Sequence, residues 1–167
     1  MKVYRLERTQ IIPTDLDTAW DFFSSPKNLP VITPDFMQFQ ILSGLSEKMF
    51  PGQIITYKVK PFKLGMALSW VTEILHVKDK EYFVDDQRKG PYAMWHHKHF
   101  FKVVEGGVEC RDMVDYALPF GVLGQMMNSL VVKDQLNKIF EYRHAKLKEI
   151  FGEYRPIISM NDSKRSA

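Results

Sequence analysis

A chain of 167 residues with a formal net charge of +3 has room for one domain with a real core and little for a second. That small surplus, with basic residues spread among acids, argues against a nucleic-acid partner, and the single cysteine, Cys110, excludes an internal disulfide framework or a cysteine-rich zinc site. Twelve Phe, seven Tyr, three Trp and nine Met exclude a disordered chain and raise the question of what so many rings and thioethers are for.

The N-terminal run Met1 to Arg8 alternates charges with apolar residues and lacks the continuous apolar stretch of a secretory signal. No segment approaches the ~18–20 apolar residues that span a bilayer. A reduced, soluble, cytoplasmic protein without stable membrane insertion is expected, as a monomer or homodimer. Residues 1–152 are expected to form a single domain. Residues 153–167 read as a poorly ordered C-terminal tail, because Ser159 to Ala167 loses its apolar content.

In chain order, Lys2 to Ile12 reads as a strand stopped by Pro13. Thr14, three residues before Asp17, resembles a capping box for a short apolar helix over Asp15 to Ser24. Ser25-Pro26 fits the start of a second short helix that Pro34 ends. Strand patterns follow over Phe36 to Ser43, Gly52 to Pro61, Met66 to Val77, Glu81 to Arg88, His96 to Val104 and Val108 to Ala117. Asp79-Lys80, Lys89 to Tyr92 and Gly106-Gly107 supply the last three turns, so these strands read as an antiparallel meander. Leu123 to Phe151 reads as one long amphipathic helix, with Val132, Leu136, Ile139, Arg143, Leu147 and Ile150 sharing a face. Its length would be about 40 Å. The fold class is α+β, one long amphipathic C-terminal helix against a curved sheet.

Side chains alternate between the two faces of a strand, and hairpin turns align neighbouring strands. A two-residue turn at Gly106-Gly107 pairs His97 with Tyr116, His99 with Val114 and Phe101 with Asp112. A two-residue turn at Asp79-Lys80 pairs Ile74 with Asp85. The four-residue turn at Lys89 to Tyr92 would pair Arg88 with Ala93 or Met94, and only the second keeps Asp85 and His97 on one face, opposite each other. A cross-strand row Ile74, Asp85, His97, Tyr116 is therefore expected on the concave face, among Trp70, Phe83, Trp95 and Phe101. Buried carboxylates and imidazoles need partners, since an unpaired one costs several kcal/mol, roughly. Three uses of the row compete: a structural network, a polar anchor in an apolar ligand cavity, and acid/base catalysis.

Other motifs carry less. His97 and His99, two apart in Trp95-His96-His97-Lys98-His99, could share a metal with Asp112 or Asp85. His-x-His is weak without a third histidine, for which only His76 is placed, so neither metal nor cofactor is expected. No GxGxxG, P-loop or GxSxG occurs. Tyr116 to Gly124 should close one end of the cavity, with Phe120 facing it. Arg143, on the apolar helix face, should reach a carboxylate or snorkel at the rim, and Cys110 should be a small buried residue.

Three phrases carry a family resemblance: Asn28-Leu29-Pro30-Val31-Ile32-Thr33-Pro34, Gly90-Pro91-Tyr92 with Trp95 to Phe100, and Asp115-Tyr116-Ala117-Leu118-Pro119-Phe120-Gly121. With the order of elements over residues 1 to about 152, the chain resembles the START-like, helix-grip superfamily, and within it the SRPBCC polyketide cyclase/dehydrase-like branch. The resemblance implies the helix-grip fold, a seven-stranded antiparallel sheet curved around the long C-terminal helix, with two short helices after the first strand and an apolar tunnel between sheet and helix. It spans carriers, aromatase/cyclases, hydrolysis-related and quinone-associated proteins, and no catalytic residues carry over from it. The leading expectation is binding or transport of a hydrophobic small molecule, such as a lipid, isoprenoid or polyketide-like compound. Trp70, Asp85, Trp95, His97, His99, Asp112, Tyr116 and Phe120 are the candidate ligand contacts. A cyclase/dehydratase using His97 or His99 with Asp85 or Tyr116 is the alternative. A partner-binding module with Met126 and Met127 in its contact patch is the third.

Overall fold

The computed structural model describes residues 1–60, 66–127 and 131–156. Strand β1 (Tyr4–Ile12) ends where Pro13 withdraws a backbone donor, and α1 (Leu16–Phe23) follows. Its cap is Asp15, whose carboxylate accepts from the Thr18 backbone N–H at 2.8 Å and the Thr18 hydroxyl at 2.7 Å. Thr14 does not cap it. The expected second helix is a single 3-10 turn, Pro26–Asn28, and another turn, Asp35–Met37, takes the first residues expected of the next strand.

Six strands then run β2 (Gln40–Ser43), β3 (Ile54–Val59), β4 (Leu68–Lys78), β5 (Tyr82–Lys89), β6 (Met94–Val104) and β7 (Gly107–Ala117). They form one seven-stranded antiparallel sheet in the order β1-β7-β6-β5-β4-β3-β2. The C-terminal part has two described helices, α2 (Gly121–Met127) and α3 (Lys133–Phe151). The expected single helix from Leu123 begins earlier, and 128–130 of it lie outside the described residues, as do 157–167 of the expected tail and Pro61 of the expected strand. The 19 residues of α3 extend about 28 Å. The architecture is the expected helix-grip α+β arrangement. Among the described residues no helix is long and apolar enough to cross a membrane.

Two turns differ from their sequence reading. At β6–β7 the turn is Glu105-Gly106, with Val104 opposite Gly107, His99 opposite Asp112, His97 opposite Val114 and Trp95 opposite Tyr116. Gly106 takes the positive φ of the turn. Gly107 belongs to the strand, where an added Cβ would sit 2.2 Å from the Ile12 carbonyl oxygen. The second glycine answers to the close approach of β1, not to the turn. Pairing slips by two residues, which keeps every side chain on its face but removes Tyr116 from opposite His97.

At β4–β5 the turn contains three residues, with Lys78 opposite Tyr82 and Lys80 at φ 61. A bulge at Leu75 then absorbs the extra residue, and Ile74 still faces Asp85. Alternation breaks there. His76 is exposed and Val77 turns inward, so His76 leaves the face to which the sequence pattern assigned it.

The core fills the concave side. Ile12, Trp20, Phe83, Phe101, Val108, Cys110 and Leu147 pack together below α1 and the C-terminal end of α3. Val114 and Tyr116 pack under Val132, Leu136 and Phe140 of α3. The helix face is as expected except at its end, where Ile150 is 43% exposed. On a 3.6-residue turn, Phe151 lies about 40° from Leu147 and Ile150 about 60°. Phe151 therefore takes the inward place, edge-on to Phe22 at 5.2 Å. Cys110 is buried, and burial, with Asp112 and Glu109 nearby, pushes its thiol up to about 12. It is an inert core residue.

On the outer face, Asp115 accepts from Arg5 Nε at 2.6 Å and Lys98 Nζ at 3.0 Å. The Arg5 hydrogen bond, against some burial, and then Lys98 hold its carboxyl below the usual range. A carboxyl lowered in the folded state adds stability above its unfolded value, near 3.9, and that contribution fades as pH falls through the folded value. Arg5 is largely exposed, so the screened contribution is at most about 1 kcal/mol. Asp115→Asn is expected to cost that much at neutral pH in urea unfolding and nothing once both carboxyl forms are protonated. A constant difference between the two proteins across the acid range would contradict this.

Candidate functional site

Three adjacent strands build one wall of a cavity. Trp70, Thr72 and Ile74 come from β4, Phe83 and Asp85 from β5, and Trp95, His97 and His99 from β6, each at alternate positions and so on one face. Leu136, Ile139, Phe140 and Arg143 of α3 close the opposite side. The space between them is about 180 Å³ and partly open. That is below the ~300–1,000 Å³ of common ligand pockets and comparable with the ~150 Å³ that accepts benzene.

Asp85 and His97 stand directly opposite each other across β5 and β6, in the register that keeps both on one face. The polar cluster has two carboxylates on either side of a histidine pair whose ring centres are 3.7 Å apart. His97 Nε2 lies 3.0 Å and His99 Nδ1 2.8 Å from the same Asp112 oxygen. Arg143 Nη1 donates to that oxygen at 3.1 Å. The remaining nitrogens face Asp85 Oδ2, His99 Nε2 at 3.1 Å and His97 Nδ1 at 3.8 Å. Phe83 stacks on the His99 ring at 4.0 Å. Arg143 reaches a carboxylate, as anticipated, with its guanidinium over the Phe140 ring at 5.2 Å.

The two imidazoles are pushed in opposite directions. Burial, then the nearby positive His99, lowers the proton affinity of His97. Burial also works against His99, but its hydrogen bonds to Asp112 and Asp85 outweigh it and raise the group. For Asp112 burial would raise the carboxyl, yet Arg143 and the two histidines hold it well below the carboxylate range. Two imidazoles whose proton affinities are pushed apart can divide acid and base roles between them.

The remaining candidates fall in three places. Trp70 and Trp95 line the cavity with their ring centres 5.4 Å apart and nearly perpendicular. Asp112 does not line it but sits behind the histidines. Tyr116 is buried beyond Trp95, stacked on Tyr4 at 5.6 Å, and is not part of the wall. Phe120 is 82% exposed and away from the cavity, because residue 120 adopts a positive φ at the entry to α2 that turns the chain outward. Met126 and Met127 are exposed alongside Val122 and Leu123.

Two polar residues escaped the sequence reading. The Tyr57 hydroxyl hydrogen-bonds Thr72, and burial followed by the nearby Asp85 raises its proton affinity. Trp70 Nε1 donates to Thr72 Oγ1 at 3.1 Å. The buried alternation Ile55, Tyr57, Val59 along β3 was the signal that could have found Tyr57. Tyr92, expected only as a turn residue, packs its ring on Trp95 at 4.7 Å and lines the cavity.

No family model and no curated protein matches the chain. Solved structures do. Protein CV1439 from Chromobacterium violaceum is 12% identical with a TM-score of 0.65, over 92% of this chain and 100% of that one. Major latex-like protein 151 from Panax ginseng is 14% identical with a TM-score of 0.64, over 89% and 97%. The di-domain ARO/CYC protein StfQ of the steffimycin biosynthetic pathway is 12% identical with a TM-score of 0.62, over 90% of this chain and 53% of that one. The likeness is one of fold, a seven-stranded antiparallel sheet with a long C-terminal helix.

Proposed function

We propose that the chain binds a small, mainly apolar molecule carrying one polar group, held in the cavity between the sheet and α3. The carrying observation is a cavity of about 180 Å³ with aromatic and aliphatic lining and a polar wall of Asp85, His97, His99 and Arg143. Its size favours a one- or two-ring compound, or the end of an isoprenoid or acyl chain, over a whole diacyl lipid. The polar wall would orient a hydroxyl or carboxyl group of the ligand. The reading rests on the cavity itself, since the fold neighbours share the scaffold alone.

Trp70 and Trp95 in the wall provide the readout. Titration with 2-naphthol should quench tryptophan fluorescence saturably at one molecule per chain, and polycyclic phenols too large for the cavity should not. Ile139→Trp, which fills the space from α3, should weaken binding at least tenfold while the protein stays folded. Absence of saturable quenching, or equal binding by Ile139→Trp, would overturn the reading.

The opposed histidines favour a second reading, dehydration of a β-hydroxy carbonyl compound. His97 would remove the α-proton and His99 would protonate the departing hydroxyl, which leaves as water. The likeness to StfQ, by name an ARO/CYC protein, agrees with it. Tyr116 has no part in this version because it does not reach the cavity. The two readings separate when a cavity-sized β-hydroxy ketone is incubated with the protein. Loss of one water that His97→Ala abolishes marks the enzyme, and unchanged compound marks the carrier.

A further inference from the structure

We propose that Asp85, His97 and His99 form a binding site for a divalent first-row transition-metal ion of the zinc, cobalt or ferrous class, facing the apolar cavity. The three donor atoms, one carboxylate oxygen and two imidazole nitrogens, all lie within 4.8 Å of one another. All three side chains line the cavity, and both histidines are buried.

The second observation is what lies behind them. A ligating histidine nearly always gives its other ring nitrogen to a carboxylate or carbonyl, which fixes the tautomer and aims the free nitrogen. Here a single Asp112 oxygen takes the remote nitrogens of both rings, at 3.0 and 2.8 Å, and Arg143 anchors it at 3.1 Å. The inner nitrogens, His97 Nδ1 and His99 Nε2, are thereby turned toward Asp85. Such an outer shell is more than a lone ion pair needs.

The carboxylate-to-imidazole distances are close to those of a tetrahedral site. Bonds of about 2.0–2.2 Å in a tetrahedral site put neighbouring ligand atoms about 3.3 Å apart. The separations from Asp85 Oδ2 are 3.1 Å to His99 Nε2 and 3.8 Å to His97 Nδ1. An ion would take the place of the proton between His99 and Asp85. Two imidazoles with one carboxylate suit zinc, cobalt or ferrous ions and are a poor match for magnesium or calcium, which prefer all-oxygen shells. The protein supplies three ligands on one side, so the remaining positions open to the cavity. There a water, or the polar end of a bound molecule, would complete the shell.

The test uses metal alone and is independent of any apolar ligand, so its failure leaves the binding reading untouched. Chelator-treated protein is titrated with Co²⁺ while its visible absorption is followed, and Zn²⁺ is then added in competition. One Co²⁺ per chain is expected, with the intense bands of a low-coordinate site, displaced by Zn²⁺. Asp85→Asn and His99→Gln should each abolish the bands. Asp112→Asn should leave their shape and weaken affinity about 10- to 100-fold. His96→Ala, which alters the separate His96–Asp86 pair with its 2.5 Å contact, should change nothing. If a histidine variant does not fold by circular dichroism, the near-isosteric Asp85→Asn decides. Wild-type protein without saturable Co²⁺ or Zn²⁺ binding, or binding undiminished in Asp85→Asn, would overturn the proposal.

Discussion

Replacing Asp112 with alanine is expected to lower the unfolding free energy by about 3–5 kcal/mol, the cost of removing one member from a buried ionic network. Its carboxylate accepts from Arg143 at 3.1 Å and contacts both histidines within 3.0 Å. All four side chains are at most 14% exposed. Alanine strands the Arg143 guanidinium in a low-dielectric interior and leaves the two imidazoles with Asp85 as their one carboxylate neighbour. The guanidinium cannot escape by shedding its proton.

Urea unfolding followed by circular dichroism at neutral pH measures the loss. Because the Asp112 carboxyl is held well below its ordinary range, its contribution is present above the unfolded value, near 3.9. It disappears as pH falls through the folded value. The gap between wild type and variant should narrow in acid. Pairing Asp112→Leu with Arg143→Met should recover much of the loss, since removing both charges leaves no unpaired ion. A single-variant cost under about 1 kcal/mol would mean that water enters the cluster freely.

Phe140→Ala is expected to cost a further class of energy, about 3–5 kcal/mol from lost burial and the void left behind. Phe140 is 7% exposed and packs with Val132, Leu136, Val114 and Tyr116. Its ring also approaches His97 at 6.1 Å and lies beneath Arg143. Truncation therefore enlarges the ligand cavity from its α3 side. A ligand that fills the new space should restore stability by mass action, as RT ln(1 + [L]/Kd). Thermal unfolding with and without phenols of increasing size measures both effects. A rise in midpoint for compounds too large for the wild type is the expected signature. A loss below about 1.5 kcal/mol, with no change in ligand size, would show that α3 collapses into the gap.

Much of the site was legible because strand faces depend only on local alternation. Asp85, His97 and His99 share a face for that reason, and of the two partners open to Arg88 only Met94 kept Asp85 and His97 on one face, which is the register observed. Tyr116 was placed wrongly because Gly106 and Gly107 look alike in sequence. One serves the turn and the other makes room for the Ile12 carbonyl, a contact with a strand nearly a hundred positions away. Ile74 was paired correctly even though its turn was misread, since a longer turn and the Leu75 bulge cancel. His76 shows what that cancellation hides, because beyond the bulge the inward and outward positions exchange.

The sequence alone determined seven strand segments, the antiparallel meander of the last six and the shared face of the Asp85–His97 pair, from period-two patterning and turn spacing, whereas the pairing of β1 with β7 came from the tertiary structure. Tertiary structure decided what those residues can do. Asp112 on β7 meets His97 and His99 on β6 through the observed register, and Arg143 on α3 comes down onto the same oxygen. No spacing rule along the chain encodes where a helix lays one side chain over a sheet. That geometry follows from packing Leu136, Phe140 and Leu147 against the concave face, and it turns a row of polar residues into an anchored cluster with one side open to a cavity.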